Sequence, residues 1–401
     1  MEANTPWVST VRGRETSSQP PGTSTDCHSE DAMKFALFTE IPVAKPWAKD
    51  SEYKAYKEQV EQAVLAEQAG FHSFWSVEHH FLDEFSHCSN PEILYAHVAA
   101  KTSKLRIGYG VRLMPKPYNH PIRTAESVAV QDLLSDGRVE FGTGRSATRA
   151  ELEGFGVDPK ETREMWREAI EVVVRAWTED EIEHNGKHWT VPRRRVHPKP
   201  LQDPHPPIWG ATTSLEGHRT MGQLGLGLCS FSVGVPPEDL KERIAEYRKG
   251  QAECTDPIGK AINTQAATFT MVHCADTNER AFSEAAESME WYPKAGARAI
   301  AGVADWMQGK GQDLGSYSYA GEIAKARDGG LLDQLSFDYI RDSGAAMVGD
   351  PKRCIEIAER YAASGCDMLF NLVNPYKIPH KAVMRSIELL GEHVIPAFDK
   401  S

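Results

Sequence analysis

Residues 73–81 read Ser-Phe-Trp-Ser-Val-Glu-His-His-Phe. The first five are apolar or small, enough for one buried strand, and three titratable residues follow at once. Ahead of them, residues from about 50 to 70 carry Ala and Val at helical spacing, and Gly70 supplies the stop. Behind them, Asn90-Pro91 opens a second helix, with Asn90 as N-cap and Pro91 at the first helical position. A continuous apolar strand set between two helices belongs to a parallel sheet covered on both faces.

The same alternation extends in both directions. Strands are predicted at residues 34–39, 73–77, 105–113, 138–142, 207–212, 225–231, 263–274 and 367–371. Helices are predicted after His120-Pro121, over about 161–177, after Thr212, over 236–250, from Asp350-Pro351 to about 365, and over about 381–398. Eight strands exceed the usual doubly wound sheet, so the fold class is α/β, a closed (β/α)₈ TIM barrel. Residues 293–345, with Gly309-Lys310-Gly311 and Gly329-Gly330, show weak periodicity and form an insertion before the last helix–strand unit. Residues 1–32, rich in Ser, Thr, Pro and Gly, are expected to be a disordered extension, leaving 33–401 as the barrel domain.

Composition excludes several classes. The 401-residue chain has a net charge of −12, against nucleic-acid binding. Its one dense basic run, Arg193-Arg194-Arg195, sits in a Pro/His-rich stretch and reads as a solvated loop. No stretch of 18 apolar residues occurs, so no membrane span is expected. The seven cysteines are odd in number and form no C-x-x-C pair, the pattern of reduced thiols in a cytoplasmic protein, with no metal site.

Four motifs carry chemistry. Glu78-His79-His80 follows the second strand, where a barrel presents its active site. Side chains alternate along a strand, so His79 and His80 face opposite ways. His79 is the candidate acid/base near neutral pH, and His80 reads as a hydrogen-bonded core or interface residue. Thr212-Thr213-Ser214 stands between a strand and a helix, where hydroxyls and free N–H groups either hold a phosphate or cap the helix. Gly142-Thr143-Gly144-Arg145 allows close backbone approach beside a bidentate donor. Arg163 stands at a helix start, as a second anion clamp or as an exposed partner of neighbouring Glu.

Taken as a series, these pieces resemble the bacterial luciferase-like flavin monooxygenases from Met33 onward. The resemblance is carried by Glu78-His79-His80-Phe81, Asn90-Pro91, residues 105–115, His120-Pro121-Ile122-Arg123, Asp136-Gly137-Arg138, Phe141-Gly142, Phe155-Gly156 with Arg163, residues 207–214, and Val348-Gly349-Asp350-Pro351. It implies a flavin-dependent oxidoreductase in which reduced FMN and O₂ oxygenate a small organic substrate through a C4a-peroxyflavin. His79 matches the catalytic base beside the flavin. Arg145, Arg163 and Ser214, with Thr213 beside them, match positions holding its phosphate. Gly110-Val111 matches a cis peptide bond against the flavin ring. Residues 293–345 match a mobile lid.

The resemblance further implies a separate flavin reductase, since no nicotinamide-binding domain is visible, and a homodimer. Gly144 stands where the light-emitting alkanal enzymes carry a reactive cysteine, which disfavours light emission. Two alternatives stay open: a deazaflavin (F420)-dependent hydride-transfer oxidoreductase, and a non-catalytic flavin-binding partner subunit. The substrate itself is not legible.

Overall fold

The computed structural model describes residues 33–399. The expected extension, 1–32, lies outside them. Twelve strands are present: β1 (Lys34–Thr39), β2 (Ser73–Ser76), β3 (Arg106–Tyr109), β4 (Arg112–Leu113), β5 (Val139–Gly144), β6 (Ile182–Asn185), β7 (Thr190–Arg194), β8 (Ile208–Thr212), β9 (Gly227–Ser230), β10 (Ala266–Cys274), β11 (Ala346–Gly349) and β12 (Met368–Leu372). Eight of them close a parallel barrel in the order β1-β2-β3-β5-β8-β9-β10-β12, with β12 pairing back onto β1. The barrel expected from the sequence is therefore present, strand for strand.

Aromatic side chains fill the barrel. The rings of Trp75 and Trp209 meet edge to face at 5.5 Å, and Trp75 lies 4.8 Å from Phe370. Each indole N–H has a partner inside the core: Trp75 donates to Ser73 Oγ at 2.8 Å and Trp209 to Glu140 Oε2 at 2.8 Å. Gly108 makes room for Trp75, since a Cβ there would stand 2.0 Å from the indole.

The structure departs from the sequence expectation in four places. The predicted strand 105–113 is broken into β3 and β4 at Gly110-Val111, whose peptide bond is cis, as the family resemblance implies. The run Arg193-Arg194-Arg195 is not a loop: Arg193 and Arg194 end β7 of an antiparallel hairpin with β6. It is solvated as expected, with Arg193 and Arg195 paired to Glu181. Pro91 opens its helix, but Asn90 makes no capping bond.

The fourth departure concerns residues 293–345, which are largely helical. A 32-residue helix, Asn278–Gly309, runs through Pro293, and shorter helices follow at Ser318–Asp328 and Phe337–Ser343, leading into β11. Small Ala and Gly residues blur the apolar stripe by which a helix is recognised in sequence. This excursion has a core of its own, in which Leu152 and Val157 pack with Ala301, Val303, Ala304, Met307, Tyr317 and Ala320.

Candidate active site

The C-terminal ends of the barrel strands gather the chemistry. His79 follows β2 and is one-fifth exposed. Its Nδ1 lies 2.7 Å from Glu151 Oε1, and its Nε2 lies 3.6 Å from Glu40 Oε2. Glu151 is fully buried on the helix Arg149–Gly154 and is saturated with donors. Besides His79 it accepts from Ser146 Oγ at 2.7 Å, Thr148 Oγ1 at 2.6 Å and the His80 N–H at 3.1 Å. A carboxylate so surrounded takes the Nδ1–H of His79 and leaves Nε2 facing the barrel mouth.

Electrostatics follow from this geometry. Burial alone would lower the basicity of His79, but the carboxylates of Glu151, Glu40 and Glu78 outweigh it and raise its pKa to about 9. Burial alone would raise the Glu151 carboxyl; the charge of His79 and the hydrogen bonds from His79, Ser146 and Thr148 hold it below the usual carboxylate range. His79 is thus an imidazolium at neutral pH.

His80 has other partners, although both histidines lie past the end of β2 at Ser76, where strand alternation no longer applies. Its ring stacks on Tyr118 at 6.1 Å and meets Phe155 edge-on at 4.9 Å, with Nε2 3.5 Å from Glu78 Oε1. Glu78 itself is structural. Its buried carboxylate accepts from the Leu113 N–H at 2.9 Å and Asn119 Nδ2 at 2.8 Å, fixing the loop behind Gly110-Val111. Val111 in turn occupies the space over Gly144: a Cβ at 144 would stand 2.4 Å from Val111 Cγ2. A cysteine there would clash with this packing.

The anion candidates share one rim but have separate partners. Arg145 leaves the end of β5 and donates to Thr162 Oγ1 at 3.1 Å and to Ser316 of the excursion, with its guanidinium 4.6 Å from the Tyr317 ring centre. Arg163, next to Thr162, is half exposed and 3.7 Å from Glu216 in the first turn of the helix Leu215–Gln223. Ser214 caps that helix, accepting from the Gly217 N–H at 3.1 Å. Arg243 donates to the Thr213 carbonyl. Arg163 and Arg243 thus meet the N-terminal end of the helix Leu215–Gln223, a setting whose donors suit a phosphate, while Arg145 is held by Thr162 and Ser316.

Sequence reasoning missed Glu40, Glu151, Arg243 and Ser316. Glu40 directly follows β1, so the strand-end rule that found His79 applies to it equally. Thr148-Arg149-Ala150-Glu151 is a capping box in sequence, and Thr148 does accept from the Glu151 N–H; the Glu151 carboxylate is diverted to His79. Arg243 and Ser316 carry no local signal. Backbone strain marks the same rim: Ile41, Phe81 and Ser146 are non-glycine residues at φ 54°, 61° and 69°, each within two residues of Glu40, His79 or Arg145.

The family model of the luciferase-like monooxygenases matches residues 33–368. The chain belongs to this family. Among characterised luciferase-like monooxygenases, the oxygenase component of the flavin-dependent trigonelline monooxygenase of Acinetobacter baylyi is 29% identical over 371 residues, 92% of this chain and 96% of the relative. Limonene 1,2-monooxygenase of Rhodococcus erythropolis is 25% identical over 358 residues, 88% of this chain and 85% of the relative. In fold, the chain matches the oxygenating constituent of 3,6-diketocamphane monooxygenase of Pseudomonas putida, solved with FMN, at TM-score 0.72 and 20% identity, covering 91% of this chain and 98% of that one. This luciferase-like monooxygenase is therefore an enzyme, and its relatives are flavin-dependent. Among the described residues, no helix is long and apolar enough to cross a membrane.

Proposed function

We propose that this enzyme is the oxygenase component of a two-component, FMN-dependent monooxygenase acting on a small organic substrate in the cytoplasm. The observation that carries the reading is the His79–Glu151 pair just past β2, with Arg145 leaving the end of β5 and Arg163 and Arg243 meeting the segment that follows β8. Reduced FMN, when bound, supplies the electrons that activate O₂ for transfer of one oxygen atom.

The chain's own residues bind, orient and move a proton. Arg145, Arg163, Thr213 and Ser214 hold the phosphate, and Gly110 and Val111 offer a flat backbone surface to the ring. Glu151 fixes the tautomer of His79, which gives a proton from Nε2 and regains it from solvent. The excursion over residues 293–345 covers the mouth and limits water. A separate reductase supplies the reduced flavin, in keeping with a relative that is itself an oxygenase component. A homodimer is supported by the exposed apolar residues Ile93, Val130, Leu133 and Leu134 on the neighbouring helices Pro91–Ala99 and Pro121–Leu134.

Anaerobic titration with reduced FMN and, separately, with reduced deazaflavin, followed by O₂, tests the reading. Tight binding of reduced FMN and oxygen consumption support it. Tight binding of deazaflavin alone, with hydride transfer to substrate in the absence of O₂, replaces it with the dehydrogenase alternative. Flavin binding without any turnover leaves the partner-subunit alternative.

A further inference from the structure

Glu40 stands at the end of β1, 4% exposed, with its two oxygens in unlike positions. Oε1 accepts from the Tyr292 hydroxyl at 2.7 Å. Oε2 is buried without a hydrogen-bond partner and lies 3.6 Å from His79 Nε2. Phe85 packs beside both, stacked on Tyr292 at 4.9 Å and edge-on to His79 at 6.2 Å. An unpartnered carboxylate oxygen is costly in so apolar a setting unless a charge faces it, and the imidazolium of His79 is that charge.

We propose that Glu40 is the second positioning carboxylate of His79, holding the Nε2 side of the ring in its charged form while Glu151 holds the Nδ1 side. Without Glu40 the arrangement is a carboxylate–histidine pair with one anchored nitrogen. With Glu40 the ring is held from β1 and from the helix Arg149–Gly154 together, so it cannot turn away from the mouth. When Nε2 gives up its proton, the ring becomes neutral, keeps Nδ1–H on Glu151, and stands beside a carboxylate that draws the next proton back to Nε2. Burial raises the Glu40 carboxyl, while the His79 charge and the Tyr292 hydroxyl pull it down. The other titratable groups around the pair are Glu78 and His80 just past β2, the buried thiol of Cys88, a residue whose carbonyl accepts from the His79 N–H, and Tyr118 on the loop packed against His80.

The inference rests on His79 being the proton donor of the proposed reaction, but its test does not need the cofactor. The full chain is labelled at histidine with ¹³C and ¹⁵N, and His79 is titrated by NMR in the ligand-free protein, assigned by its loss in His79→Gln. Glu40→Gln keeps shape and the Tyr292 bond and removes the charge. Its expected effect is a fall in the His79 midpoint of about one unit, with the Nδ1 tautomer unchanged. A second variant, Glu40→Asp, keeps the charge but draws it back from Nε2 by one methylene, so it should lower the His79 midpoint by less than Glu40→Gln does. The high-pH limb of turnover should shift with the titration. A His79 midpoint unmoved in Glu40→Gln overturns the proposal; should that variant not fold, an unmoved midpoint in Glu40→Asp overturns it. Absence of FMN-dependent oxygenation, with the midpoint shifted as expected, would refute the proposed reaction and leave the role of Glu40 standing.

Discussion

The guanidinium of Arg145 donates to both the hydroxyl and the carbonyl of Ser316, at 2.7 and 3.0 Å, across 171 positions of sequence. The residue matched to the flavin phosphate is thus engaged by the excursion over residues 293–345. A phosphate must compete with Ser316 for the same N–H groups. Ser316→Ala removes one charge-assisted bond and should tighten FMN binding about three- to tenfold in fluorescence titration. Weaker binding would mean that Arg145 meets the phosphate while still held by Ser316.

Arg163 offers the complementary case. It is half exposed, and its ion pair with Glu216 at 3.7 Å is screened by solvent. Arg163→Ala should leave the melting temperature unchanged and weaken FMN binding by about one to two orders of magnitude in the same titration. Unchanged affinity would remove Arg163 from the phosphate site.

The two adjacent histidines should separate cleanly. His79→Ala should keep near-normal FMN affinity and lose roughly 10²–10⁴-fold in substrate oxidation, the usual share of general acid/base catalysis. His80 packs on Tyr118 and Phe155, so His80→Ala should lower the melting temperature and affect turnover much less. Both are assayed with a reductase supplying reduced FMN. Equal, small effects would make both histidines structural.

Stability should depend on pH through His79. Its pKa is raised to about 9 in the folded state from an ordinary value near 6.5, so the folded chain binds this proton more tightly than the unfolded one. The resulting stabilisation is fully present below pH about 6.5 and is lost as pH rises through about 9. The melting temperature of the ligand-free enzyme should fall across that window, and His79→Gln should flatten the fall. Parallel curves for the two proteins would show that His79 is not the group responsible.

The apolar residues Ile93, Val130, Leu133 and Leu134 remain exposed on one protomer. Covering them is the simplest role of a second copy. Leu134→Arg should shift the sedimentation coefficient from dimer to monomer without lowering the helix content. A monomeric wild type would refute the assembly.

The sequence by itself determined the barrel and half of its site. Continuous apolar strands alternating with helices, as around residues 73–77, permit little besides a covered parallel sheet. The strand-end rule pointed to His79; the different partners of His79 and His80 arise in the segment past β2, beyond the reach of strand alternation. What surrounds His79 was decided only by the tertiary structure. Glu151 is 72 residues away and reads locally as a capping residue, and Tyr292, the partner of Glu40, is 252 residues from it. Such partners meet only because the barrel closes and the helices Arg149–Gly154 and Asn278–Gly309 pack against its strand ends. Local pattern records the period of a strand or helix; which distant carboxylate faces an imidazole depends on how those elements pack, and that is where the basicity of His79 is set.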